Sequence, residues 1–144
     1  MSQGPRRQAR EAALQVLFAA EAGAGIEPGS IATVFDAVLD EFSLPPRALA
    51  RTRELLCGVS ENLKAIDEII SLRAMHWQLE RLARVDRNVL RVAIYELLIE
   101  SETPSAVVID EAIEVARRFG ADESASFVNG VLDAVARERN VLAK

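Results

Sequence analysis

Between Ile109 and Asp133, apolar side chains recur three and four residues apart, broken once by Gly120-Ala121-Asp122. That spacing puts them on one face of a helix, so the segment reads as two helices joined by a tight turn. The same spacing runs through the rest of the chain. Ala9, Ala12, Ala13, Val16, Leu17 and Ala20 mark one stripe. Leu49, Leu56, Val59, Leu63, Ile66 and Ile70 mark a second, and Leu90, Ala93, Ile94 and Leu97 a third. No run of alternating apolar residues bounded by Gly-Asn turns competes as strand. Half of the 144 residues are hydrophobic and only 5% are aromatic, which predicts one compact all-α domain over residues 1–144.

Proline, glycine and short polar residues punctuate the stripes. Pro5 suits the first position of helix one, because its missing N–H has no partner there anyway. Gly23, Gly25 and Pro28-Gly29 end that helix. Ser30 is a candidate cap for a second helix reaching about Phe42, and Pro45-Pro46 breaks it. A long third helix is expected from Arg47 to Leu72, with Gly58 marking close packing or a bend. Residues 73–85 are mixed, with Trp77, Leu79, Leu82 and Val85 in a short helix or turn. Asp86 is the expected cap of the next helix, which is a candidate central one. Thr103-Pro104 reads as N-cap plus N1 of helix six, Gly120 as its C′ residue and Asp122 as the cap of the last helix. Val128, Val131, Leu132 and Val135 face inward with Phe127, and the tail frays after Arg137.

The net charge of −5 argues against diffuse binding to nucleic acid over the whole surface. It leaves room for a local basic site, because exposed charges act over roughly 10 Å. Cys57 and His76 are each single, which excludes an internal disulfide and a zinc site of the usual kind. A reducing cytoplasm is the natural compartment. No apolar run approaches a membrane span, and no apolar region follows the basic start, so neither anchor nor secretory signal is expected. Phosphate-loop, dinucleotide and zinc-protease motifs are missing. His76 beside Trp77 reads as a helix-end histidine, and Cys57 beside Leu55 and Leu56 as a small buried hydrophobe. Asp110, Glu111 and Glu114 read as a solvated helix face, with Glu114 and Arg118 paired one turn apart.

The arginines carry the functional signal. Arg6, Arg7 and Arg10 cluster at a helix start, with Arg6 and Arg10 one turn apart on a more polar face. Cations gain nothing from the helix dipole at that end. Guanidinium groups pair with phosphate in a bidentate fork, although a solubilising helix end accounts for the cluster too. Arg81, Arg84, Arg87 and Arg91 approximate a second stripe, read as pairing with Glu80, Asp86 and Glu96 rather than as a polyanion track. Phe127, with Asn129 and Ser124 near it, belongs to the core or stacks on an unpaired base. Gly130 would let another backbone or a ligand approach.

Four segments together resemble the NusB family of bacterial transcription antitermination factors, over nearly the whole chain. They are Arg6-Arg7-Gln8-Ala9-Arg10-Glu11, Val85 through Leu97, Ile109 through Glu114, and the stretch from Phe119 to Asp133. The resemblance implies an all-helical fold of about seven helices in two subbundles, no enzymatic activity and no cofactor. It implies binding to the boxA element of nascent RNA, notably ribosomal RNA leaders, together with NusE, a small-subunit ribosomal protein. The assembly joins RNA polymerase and other Nus factors and suppresses termination. By position, Arg6, Arg7 and Arg10 would contact RNA. Asp122, Glu123, Phe127 and Asn129 would lie at or beside the RNA surface. Phe18 and Asp86 would face NusE. Gln8 departs from the more continuous basic run of some members. Two other readings stay open: the NusB-like domain of an RNA cytosine methyltransferase, and a helical module that binds proteins only. Monomer and homodimer are both compatible with the sequence.

Overall fold

The computed structural model describes residues 4–23, 25–41, 43–74 and 79–143; Phe42, His76 and Trp77, singled out above, lie outside them. Among the described residues the chain forms seven α-helices and no strand, so the all-α class holds. The helices fall into two compact units, one reaching Leu63 and the other starting at Lys64.

The first unit contains α1 (Pro5–Ala22), α2 (Pro28–Val38) and α3 (Pro46–Glu61). Each starts with proline at its first position, where the missing donor costs nothing. The second helix therefore begins at Pro28, and Ser30 sits inside its first turn instead of capping it. A 3₁₀ turn, Leu39–Glu41, follows it. Helix α1 ends where the Gly25 N–H reaches the Ala20 carbonyl at 2.7 Å with φ 98, a left-handed conformation that favours glycine. Helices α1 and α3 pack most extensively, burying Ala9, Ala13, Val16 and Leu17 together with Leu55, Leu56 and Val59.

The long third helix of the sequence pattern divides at Asn62. Its N–H turns to the Val59 carbonyl at 3.2 Å, while its Nδ2 donates to the Gly58 carbonyl at 2.7 Å. The side chain thus takes the acceptor that the next helical turn would have used, a competition open to asparagine. The helix ends there and not at Gly58, which is buried inside α3.

The second unit contains α4 (Leu63–Arg73, from Lys64 on), α5 (Arg84–Ile94), α6 (Ser105–Phe119) and α7 (Ser124–Ala143). Its core holds Ile66, Ile70, Leu90, Ile94, Leu97, Val108, Val115, Val128, Leu132 and Val135. Helix α5 passes into a π-helical turn, Tyr95–Glu100, closed by a Ser101 N–H to Glu96 carbonyl bond of 3.1 Å with Ser101 at φ 50. Three starts differ from expectation. Helix α5 begins at Arg84, two residues before Asp86; Pro104 holds the cap position of α6 in place of Thr103; and α7 begins at Ser124, two residues after Asp122. Helix α7 continues past Arg137 to Ala143.

One ion pair ties α4 to α5. Arg91 donates from Nε to Asp67 Oδ1 at 2.8 Å and from Nη2 to Oδ2 at 3.0 Å, and its Nη1 reaches Asn88 Oδ1 at 2.9 Å. The Arg91 side chain is 5% exposed and that of Asp67 19%. The fork geometry lets one carboxylate answer two donors of a guanidinium removed from water. Asp67→Ala strands that guanidinium, so stability should fall by about 3 kcal/mol in urea unfolding, and Asp67→Leu combined with Arg91→Met should recover most of the loss.

Candidate functional site

In the first unit, the opening turn of α1 carries Arg6 exposed and Arg7 half-buried, and the turn itself contains no acidic residue. The N-terminal N–H groups and both guanidiniums therefore present positive charge at one place, a local arrangement suited to phosphate. Arg10 is different. It is 5% exposed and lies among the buried residues Ala9, Ala12 and Ala13, so the expectation of a polar face shared with Arg6 fails for it. A helix turns about 100° per residue, and α1 is buried over most of its circumference from Ala9 to Leu14. Phe18, later on α1, is 40% exposed, a large aromatic left at the surface.

In the second unit, the start of α5 and the start of α7 line a pocket of about 480 Å³ with Arg81, Leu82, Ala83, Asp86, Ala121, Glu123, Ser124 and Phe127. Ala121, Glu123 and Ser124 of that lining belong to the tight turn between α6 and α7. The Gly120 N–H bonds the Ala116 carbonyl at 2.8 Å, and the Ala121 N–H donates to Ser124 Oγ at 2.9 Å. Gly120 is extended, with φ −98 and ψ −171, so it is not the left-handed closing residue expected of a helix end. Close approach explains the glycine: a Cβ would stand 2.5 Å from Ser124 Oγ and 2.8 Å from the Ala116 carbonyl. Phe127 is half-buried, whereas Asp122, Glu123 and Asn129 are exposed. Gly130 meets nothing within 4 Å at its Cβ position, so no described backbone of this chain approaches it. Asp86 Oδ1 is buried and, among the described residues, has no hydrogen-bond partner.

The mid-chain arginines separate into different roles. Arg91 pairs with Asp67, a carboxylate that local spacing did not suggest. Arg87 donates from Nη1 to the Leu79 and Leu82 carbonyls at 3.0 and 3.2 Å, holding the 3₁₀ turn Leu79–Arg81 against α5. Arg81 and Arg84 stay exposed. On α6, Glu114 pairs with Arg117 at 2.7 Å, not with Arg118, whose guanidinium carbon lies 5.4 Å from the Phe119 ring centroid. Cys57 is exposed, against the expectation of a buried position. Among the described residues no three His, Cys, Asp or Glu side chains group as a metal site, and no helix is long and apolar enough to cross a membrane.

Of the expected site residues, Asp86, Glu123 and Phe127 meet in one pocket, and Arg6 and Arg7 share one helix turn. The arginine pair belongs to the first unit and the pocket to the second. Sequence reasoning did not single out Arg81, Leu82, Ala83, Ala121 or Ser124 as pocket walls. Their signal was weak: apart from Arg81, named only as part of a basic stripe, they are small or apolar residues near Asp86 and Gly120, with nothing in the order of residues to bring the two turns together.

The sequence matches the model of the NusB family over residues 7–137. It is 49% identical over 133 residues to the transcription antitermination protein NusB of Sorangium cellulosum, covering 92% of each chain. The structure is similar to that of T. maritima NusB, with a TM-score of 0.83 at 43% identity over 95% of this chain and 94% of that one. A chain in a crystal structure of the antitermination factors NusB and NusE in complex with dsRNA matches with a TM-score of 0.76, covering 93% of this chain and 97% of that one. At 24% identity that last likeness concerns the fold.

The Gly120 contacts make a direct prediction. Gly120→Ala forces Ser124 or the end of α6 to shift, and thermal unfolding should show a loss of about 2 kcal/mol, typical of overpacking a tight site.

Proposed function

This chain belongs to the NusB family, and from that premise we propose that it is a transcription antitermination factor that binds boxA RNA of nascent transcripts together with NusE. The observation that carries this reading is the match to a transcription antitermination protein over 92% of both chains. The exposed arginine turn of α1 supports it, because it supplies cations where the helix already favours an anion. The mechanism is assembly, and no bond-making step is assigned to any residue. Arg6 and Arg7 make phosphate contacts that set register, and Arg10 supports them from its buried place on the same helix. Unpaired bases supply specificity through stacking and edge hydrogen bonds. NusE adds its own contacts, so RNA and protein gain from one shared platform. The RNA polymerase complex with other Nus factors completes the partner set, in the cytoplasm. Residues 1–144 act as a single NusB-like domain in this reading.

Of the two expected partner-facing residues, Phe18 is the better placed for protein, because a surface aromatic is a frequent anchor of binding energy.

Band-shift titration of a boxA oligonucleotide, with and without NusE, tests the proposal: RNA should bind, and more tightly when NusE is present. A chain that shifts no RNA under either condition belongs instead to the protein-only class. Arg7→Ala should weaken binding while the helical content stays unchanged. The slope of log affinity against log salt should fall by about one unit, as expected when one phosphate is no longer neutralised. Phe18→Ala should weaken NusE binding about tenfold in calorimetry, with RNA binding by the protein alone unaltered.

A further inference from the structure

Charge in the second unit is segregated. Residues 92–116 carry six carboxylates and no lysine, arginine or histidine. That stretch alone exceeds the net charge of −5, so the rest of the chain is close to neutral. The arginines that bracket it are answered inside the chain, Arg91 by Asp67 and Arg117 by Glu114. Within the stretch the π-helical turn Tyr95–Glu100 passes into α6 through residues 101–104. A large apolar side chain stays at the surface on either side of that connection, Ile99 being 40% exposed and Val107 46%. They are two of the four large apolar side chains that the described residues expose. Glu102 and Asp110 are exposed as well, Asp110 one turn after Val107 on α6. The connection is well tied. The Ser101 N–H bonds the Glu96 carbonyl at 3.1 Å, Thr103 is buried, and the Val107 and Val108 N–H groups reach the Pro104 carbonyl at 3.0 and 3.1 Å.

We infer that this patch, Ile99 and Val107 with the carboxylates of Glu102 and Asp110, is a docking surface for a cationic amphipathic segment of a protein other than NusE. Its lining selects the occupant. Aliphatic side chains rimmed by carboxylates complement apolar residues flanked by lysine or arginine. Burial of the aliphatic pair supplies affinity, and the charges steer and orient the partner. The same carboxylates repel RNA and an anionic lipid surface. A second copy joined patch to patch would set like charges face to face. A divalent cation leaves the apolar pair unexplained, and among the described residues no acidic side chains group as a metal site. Position sets the patch apart too. Asp86, the expected NusE-facing residue of this unit, lies 13 positions before Ile99, and Gly120 lies 13 positions after Val107. At 1.5 Å per helical residue, the pocket at the other end of both helices is roughly 20 Å away, about two screening lengths. Because the connection is already ordered, binding there loses little conformational freedom. The inference goes beyond the antitermination reading and does not depend on RNA binding.

The test titrates the full chain with a fluorescent amphipathic helical peptide of leucine and lysine, and with its leucine–glutamate counterpart, while amide hydrogen exchange locates the contact. The leucine–lysine peptide should bind and slow exchange around residues 99–111, and the glutamate peptide should not bind. Ile99→Ser with Val107→Ser should weaken binding about tenfold through lost apolar contact. Glu102→Lys with Asp110→Lys should weaken it by a similar factor and also flatten its salt dependence. Circular dichroism should show wild-type helical content for both pairs, and the charge pair, fully at the surface, keeps the test open should the serine pair fold poorly. A leucine–lysine peptide that does not bind, a footprint elsewhere on the chain, or a folded variant pair that binds as the wild type does overturns the inference. So does displacement of the peptide by NusE, or a wild-type dimer in sedimentation that the serine pair dissolves, since NusE or a second copy would then be the occupant. None of these outcomes touches the antitermination reading, which fails only if boxA RNA is not bound.

Discussion

Helix α5 is buried on nearly every side from Asn88 to Ile94, and much of the second unit follows from that. A helix enclosed in this way must find partners for every polar group it carries, since water is not there to supply them. Asn88 answers by donating to the Arg84 carbonyl at 3.0 Å and accepting from Arg91. Arg91 answers by forking onto Asp67 of α4. The exposed part of α5 is its first turn, where Arg84 meets solvent and Asp86 lines a pocket. Packing thereby leaves only that end of the helix open to solvent.

The arginines show how packing assigns roles to one residue type. Arg91 is a structural cation, Arg87 a brace for backbone carbonyls, and Arg6 and Arg7 a presented charge at a helix start. On a chain of net charge −5 a polyanion site must be local. Screening makes that workable, because the distant carboxylates contribute little at the mouth of a small basic turn. The same logic applies to Arg81 at the rim of the pocket, with one carboxylate oxygen buried beside it and another carboxylate exposed.

Much of the helical plan was legible in the residues. The stripe of Leu90, Ala93, Ile94 and Leu97 identified the central helix, and Pro5 identified the start of α1. Boundaries governed by side-chain competition were not. Asn62 stops α3 through a bond from its amide to Gly58, and no periodicity carries that information. Nor did periodicity reveal that Arg10 is buried while Cys57 is exposed, since both depend on which flank of a helix meets a neighbour. For the site, the basic cluster and the aromatic Phe127 could be named from their types and spacing. The unpartnered oxygen of Asp86 could not, because burial of a single side-chain atom arises only in the folded chain.

Composition, turn residues and a repeat of three to four were enough to establish an all-helical chain, the faces its helices bury and a positively charged front. Those properties are local: each is settled within one or two turns of backbone, where spacing translates directly into position. Pairing across distance belongs to another class. The separations of 24 positions from Asp67 to Arg91 and 41 from Asp86 to Phe127 are spanned by packing. Which carboxylate is answered and which is left without a partner was therefore a matter for the folded chain, because desolvation acts on a group only once its neighbours have closed around it.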